Sequence, residues 1–301
     1  MSDAGASPAG DRVIVVGVDG SRHGADALEW GLAEARLRDA RVRVVHAWSI
    51  VPRALRGVLP PGLERARAGA VVEAEDVLRR ALEDADGEGV HVEPTVVEGQ
   101  TAAVLVKAAT DADLLVVGSR GHRGVAGVLL GSVSQQCLHH APCPIAVVHA
   151  SHHGDRRRIV VGVDGSPGAD AALDWAADEA RRRETSLLAV CAYHEAPGVS
   201  GGGPAAAGAL AGLRESLATA AEDVLEHAER AVDEVGVSTL AVHGHPAEAL
   251  LTAAGDAELL VVGSRGRGGF ASLVLGSVSQ HCAARAPGVV VVVPSGSRPR
   301  D

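Results

Sequence analysis

Gly118-Ser119-Arg120-Gly121, followed by nine residues and then Gly131-Ser132, decides the reading of this chain because it occurs twice. The second copy is Gly263-Ser264-Arg265-Gly266, nine residues, then Gly276-Ser277, at an offset of 145. Each copy follows an apolar run, Leu114 to Val117 or Leu259 to Val262, and precedes a segment that can be helical. A glycine-rich loop between a strand and a helix is a way to hold phosphate. Glycines let the backbone approach, and free N–H groups at the helix start point at the anion. Two copies in the same setting imply two nucleotide-sized pockets.

The repeat extends beyond the loop. Val18-Asp19-Gly20-Ser21 recurs as Val163-Asp164-Gly165-Ser166, Trp30 as Trp175 and Gly99 as Gly244, all at the same offset. Between 113–136 and 258–281, 16 of 24 aligned positions are identical, too many for chance. A duplicated and fused module of about 145 residues follows, with domains at 1–150 and 151–301. That module length matches the usual domain size of ~100–150 residues and can bury a sizeable core.

Composition excludes several classes. A formal charge of −10 argues against general nucleic-acid binding, which needs a basic face. Met1 to Asp11 has neither a basic n-region nor an apolar core, so no signal peptide is expected there. No apolar run approaches the ~20 residues of a membrane helix, and a cytoplasmic location is expected. The four cysteines lack C-x-x-C spacing. Cys137 and Cys282 are repeat equivalents and read as small buried hydrophobes. His139-His140 and His152-His153 are adjacent pairs outside any H-E-x-x-H pattern, and no metal is expected on them.

Arg12 to Val18 is a continuous β-branched run, the mark of a strand covered on both faces. Ser21 can cap a helix over His23 to Asp39. Further strands are expected at 42–48, 90–97, 114–117 and 145–149, and helices at 63–85, 100–110 and 132–140. Val72, Leu78 and Leu82 read as the apolar positions of the long helix, and 49–63 as a loop. The second half repeats this order, with strands near 158–163, 186–192, 238–243, 259–262 and 289–293. Its helices fall near 168–184, 213–235, 246–255 and 277–285, and the Gly/Ala/Pro-rich 197–212 reads as a loop. Strand–helix alternation implies parallel sheets with helices on both faces. In such sheets the ligand sits at the carboxyl ends of strands, where strand order reverses. Asp19 and Gly118 follow the first and fourth strands, so both face one crevice if those strands are neighbours.

Gly118 would let backbone pass beneath a ligand, and Gly121 and Gly124 would keep the loop low. Gly131-Ser132-Val133-Ser134 opens the last helix of the first half, where N–H groups and hydroxyls can meet phosphate oxygens. Helix capping is the alternative reading of Ser132 and Ser134. Arg120 and Arg265 pair with phosphate or are solvated loop arginines. Asp19 and Asp164 hydrogen-bond a ribose hydroxyl, help to hold a metal, or shape the strand-to-helix corner as an Asx-turn. The loop is not a P-loop: no G-x-x-x-x-G-K-[ST] occurs, and the only lysine, Lys107, lies in a helix away from it. No repeated carboxylate–histidine pair is present to activate water, so binding without rapid turnover is expected.

These residues resemble the universal stress protein family. Its ATP-binding members carry G-x2-G-x9-G-[ST], which both copies match in full. The opening Val16-Gly17-Val18-Asp19-Gly20-Ser21 and the closing His140-Ala141-Pro142-Cys143-Pro144 are similar to that family too. The resemblance covers nearly the whole chain as a tandem of two domains. It implies, in each, a Rossmann-like five-stranded parallel sheet of order 3-2-1-4-5. It also implies ATP in each crevice, with Mg2+ accompanying it or cyclic AMP as another ligand. By motif position Gly17, Val18, Asp19 and Ala47 would line the adenine and ribose end. Gly118, Gly121, Gly131, Ser132, Val133 and Ser134 would hold phosphates. The second set is Gly162, Val163, Asp164, Ala192, Gly263, Gly266, Gly276, Ser277, Val278 and Ser279. Family members pair through their last strands, so 145–149 and 289–293 would join the halves as an intrachain pseudo-dimer, with a homodimer also open. The second half departs from the pattern at Ala286-Pro287-Gly288, and Gly268-Gly269 replaces Arg123-Gly124. The function implied is a nucleotide-binding regulator of stress response. A slow ATPase or nucleotidyl transferase and a ligand-free scaffold are the alternatives.

Overall fold

The computed structural model describes residues 12–49, 63–121, 130–149, 158–195, 204–232, 236–267 and 275–296. These residues divide into two compact units, the first holding those up to 149 and the second those from 158. Gly124, Gly268-Gly269, His152-His153 and most of 49–63 lie outside the described residues.

The first unit runs β1 (Val13–Gly17), α1 (Arg22–Arg38), β2 (Arg41–Trp48), α2 (Leu63–Glu83), β3 (Val92–Glu98), α3 (Thr101–Ala108), β4 (Leu114–Gly118), α4 (Ser132–His140) and β5 (Ile145–Val148). Its strands pair in parallel in the order β3-β2-β1-β4-β5. The second unit runs β6 (Arg158–Gly162), α5 (Pro167–Arg183), β7 (Ser186–Tyr193), α6 (Pro204–Ala231), β8 (Val237–His243), α7 (Pro246–Ala253), β9 (Leu259–Gly263), α8 (Ser277–Arg285) and β10 (Val289–Val293). Its parallel order is β8-β7-β6-β9-β10.

Consecutive strand residues point to opposite faces, so the unbroken burial of Val13 to Val16 means that both faces are covered. The glycines show which helix covers which face. A β-carbon at Gly31 of α1 would come within 2.6 Å of the Val16 side chain, so α1 packs on the face that Val16 presents. One at Gly17 would come within 2.8 Å of Leu105 of α3, so α3 covers the other face. Gly162 and Leu250 repeat that second contact at 2.9 Å. Pro94, which has no N–H to give, lies in β3 at the edge of the first unit's order.

Caps set the helix starts. Ser21 accepts from the Gly24 amide at 3.1 Å and Ser166 from the Ala169 amide at 3.3 Å, with Pro167 in the first turn of α5. Both helices end on a left-handed residue, Asp39 at φ 49° and Glu184 at φ 50°. Inside α1 the buried Glu34 accepts from the buried Arg38. In α5 the equivalent Glu179 accepts from Arg183 at 2.5 Å, and Arg183 also reaches Glu258.

Three expectations need correction. Residues 204–212, read as loop, are the start of α6. Pro204 suits the first helical position, and Ala205, Ala206 and Ala207 are the strongest helix formers, so the glycines there are outvoted. Val72 is 64% exposed and not part of the apolar stripe of α2, whereas Leu78 is buried. β3 begins at Val92 instead of Val90, because a turn closed by Val90 N–H on the Gly87 carbonyl occupies 87–90, with Gly89 at φ 75°. No helix among the described residues is long and apolar enough to cross a membrane.

Candidate functional site

β1 pairs directly with β4, so Asp19 and the Gly118 motif emerge at the same carboxyl edge. One carboxylate joins them. Asp19 Oδ1 accepts from the Ser21 amide at 3.0 Å, an Asx-turn that shapes the corner before α1. A β-carbon at Gly121 would come within 2.6 Å of Asp19 Oδ2, so the loop after β4 is laid against the same side chain. The second unit repeats this. Asp164 Oδ1 accepts from the Ser166 amide at 3.0 Å, and Oδ2 accepts from the Arg267 amide at 2.9 Å. Gly20 and Gly165 follow these aspartates at φ 78° and 71°, the left-handed region that a side chain resists.

Gly118 is glycine for a packing reason. A β-carbon there would come within 2.5 Å of the His23 carbonyl oxygen, so its absence lets the first turn of α1 sit on the end of β4. Gly263 meets the Gly168 carbonyl in the same way. Gly118→Ala is therefore expected to destabilise the first unit by about 1–3 kcal/mol, the usual cost of overpacking. Urea denaturation checks this; an unchanged midpoint would show that helix contact to be dispensable.

The loop then closes on itself. Gly131 N–H donates to the Ser119 carbonyl at 2.7 Å, and Gly276 N–H to the Ser264 carbonyl at 2.7 Å. Ser134 is buried and its hydroxyl donates to the Gly118 carbonyl at 2.7 Å; Ser279 does the same to Gly263 at 2.6 Å. These hydroxyls tie the last helix to the strand end and do not cap it. The N-cap residues are Gly131 and Gly276, which have no side chain to offer. Gln135 N–H takes the Gly131 carbonyl at 3.0 Å, so the amides of Ser132, Val133 and Ser134 precede the first intrahelical bond. Each helix thus opens on amides that nothing in its own sequence caps, at the strand-end edge where Asp19 or Asp164 lies.

The remaining expected residues fall into two groups. Val18 and Val163 are buried, and their N–H groups extend the sheet onto Val45 at 3.0 Å and Val190 at 2.9 Å. Ala47 and Ala192 are half-buried near the ends of β2 and β7. Arg120 and Arg265 are exposed. His46 was not singled out from sequence, yet its Nδ1 lies 2.8 Å from the Val18 carbonyl, so this nitrogen carries the proton. A histidine amid β-branched neighbours was the available signal. Its counterpart is Cys191, buried and with its thiol pushed up mainly by burial. The equivalent cysteines Cys137 and Cys282 are fully buried, with thiols pushed up to about 12 by burial, which makes them poor nucleophiles. At the end of β7, Glu195 accepts from Arg214 and, at 3.0 Å, from His243; the Arg214 bond is the main cause of its carboxyl falling to about 2. Among the described residues no group of three metal-ligating side chains converges.

A parallel sheet with paired motifs at its carboxyl edge and a glycine-started helix after the fourth strand defines a class of open α/β proteins. The chain belongs to the universal stress protein family: the model of that family matches residues 12–149 and again 155–294. A universal stress protein of Mycolicibacterium smegmatis is 36% identical over 297 residues, covering 95% of this chain and 97% of that relative. One from Mycobacterium tuberculosis is 35% identical over 293 residues, covering 92% and 95%. The crystal structure of a universal stress protein from Archaeoglobus fulgidus covers 95% of this chain and 99% of its own at 21% identity, with a TM-score of 0.68, which speaks for the fold.

Proposed function

We propose that each half of the chain, 1–150 and 151–301, binds one adenine nucleotide at the carboxyl edge of its own set of strands, and that occupancy is its contribution to a stress response. The observation that carries this reading is the pair of glycine-started helices, α4 and α8, whose leading amides have no side-chain cap, in units whose first strand ends on an aspartate held by a main-chain bond. Several N–H groups converging on one anion add up where a single helix terminus, worth about 0.3–1 kcal/mol at exposed sites, does not. In this reading the amides of Ser132 to Ser134 and of Ser277 to Ser279 take phosphate oxygens, with Gly121 and Gly266 keeping the approach open. Arg120 and Arg265 add charge from solvent. Gly17, Val18, Asp19 and Ala47 form the nucleoside end, as do Gly162, Val163, Asp164 and Ala192. A magnesium ion would arrive with the phosphates.

Turnover is not assigned, because no described carboxylate–histidine pair stands at this edge in both units to activate water. Native mass spectrometry of the purified chain, followed by calorimetry with ATP and with cyclic AMP, tests the proposal. Two adenine nucleotides per chain are expected, with ATP bound more tightly than cyclic AMP. Failure of the purified chain to bind either ligand would sink it, and conversion of bound ATP within seconds would replace it with an enzymatic reading.

A further inference from the structure

The second cleft carries a cation at the turn that follows its first strand. In the second unit the guanidinium of Arg267 lies over Gly165, so close that a β-carbon there would collide with Nη2. The next neighbour of that spot is Val224 of α6 at 3.2 Å. The main chain of Arg267 is anchored by its N–H on Asp164 Oδ2 at 2.9 Å. That bond, with the Ser166 amide on Oδ1, gives both oxygens of Asp164 a main-chain donor. Among the described residues no carboxylate forms an ion pair with the Arg267 guanidinium. In the first unit the position 145 residues earlier is His122, which lies outside the described residues; among those described, Val77 lies 3.2 Å from where a β-carbon on Gly20 would stand.

We propose that Arg267 makes the second cleft selective for charge: it is a cationic contact to the phosphate of a nucleotide seated between the Asp164–Gly165 turn and the start of α8. This rests on the nucleotide-binding reading above. The physical argument is one of supply. A guanidinium with a planar set of donors is held at the turn by its own backbone anchor and, among the described residues, has no carboxylate paired to it, and phosphate oxygens match its geometry. A neutral nucleoside would gain nothing from it.

The test uses the full chain and Arg267→Gln, titrated by calorimetry with ATP and with adenosine, with unfolding curves recorded for both proteins. In one of the two sites, Arg267→Gln is expected to weaken ATP by about tenfold, the size of a lost hydrogen bond to a charged group. Adenosine affinity in that site is expected to stay unchanged, and Arg267→Lys to restore part of the ATP affinity. Equal losses for ATP and adenosine would show a shaping role and overturn the inference. No loss would overturn it too, and so would a gain, which would mean that the guanidinium covers the cleft. If the unaltered chain binds neither ligand, the cleft reading itself fails, and this inference with it.

Discussion

Gly131→Val is expected to remove one of two nucleotide sites and to leave the other intact. Gly131 has φ −67° and ψ 152°, a conformation that valine adopts freely, and a β-carbon there would meet Arg120 and the Ser119 carbonyl at 3.4 Å, close but tolerable. The variant should therefore fold. Its added methyl groups would stand at the entry to α4, between the Ser119 carbonyl and the Ser134 hydroxyl, where the proposed phosphate approaches. Losing two or more hydrogen bonds to a charged group, at about 1.5–3 kcal/mol each, would weaken that site by at least about a hundredfold. Calorimetry should then count one ATP per chain where the unaltered protein binds two. Gly276→Val should produce the mirror result, and the double variant none. A site count unchanged by either single substitution would mean that phosphate is held elsewhere.

Arg38→Met is expected to cost the first unit about 3–5 kcal/mol, because it takes the Arg38 cation away from a buried carboxylate. The Glu34 side chain is 0% exposed and that of Arg38 7%, so the pair is shielded from water. Replacing both, as Glu34→Leu with Arg38→Met, removes the charge along with its partner and should recover most of the loss. Urea unfolding of the single and double variants measures this. A single-variant cost under about 1 kcal/mol would show that the pair behaves like an exposed one. In the second unit Glu179 also meets Arg182 at 3.7 Å and Arg183 also meets Glu258, so Arg183→Met is expected to disturb a wider network there.

Much of the fold was legible because its signals are local. The β-branched run from Val13 to Val16 announces a strand covered on both faces, and the Asp-Gly-Ser corner announces a turn and a cap. The motif spacing placed the last helix of each half at its observed bounds, 132–140 and 277–285. What failed was also local: the glycines among 204–212 hid a helix start, and Val72 had the right spacing on α2 but faces solvent. Other roles depend on partners distant in sequence. Gly118 is explained by the His23 carbonyl, Ser134 by the Gly118 carbonyl and His46 by the Val18 carbonyl. No spacing rule contains these contacts, since each forms only once the strands have paired. Arg267 is a further case: its identity is plain in the repeat, but its place over Gly165 is a product of the folded loop.

The aspartate at the end of each first strand has a mechanical consequence. In the second unit the two oxygens of Asp164 grip amides from segments about a hundred residues apart, Ser166 before one helix and Arg267 in the glycine loop. Such a rivet makes the two segments move as one body. Any guest that drags the loop inward must also tug on the leading turn of α5, so a small displacement in the interior would surface as a tilt of an outer helix, where another molecule could sense it.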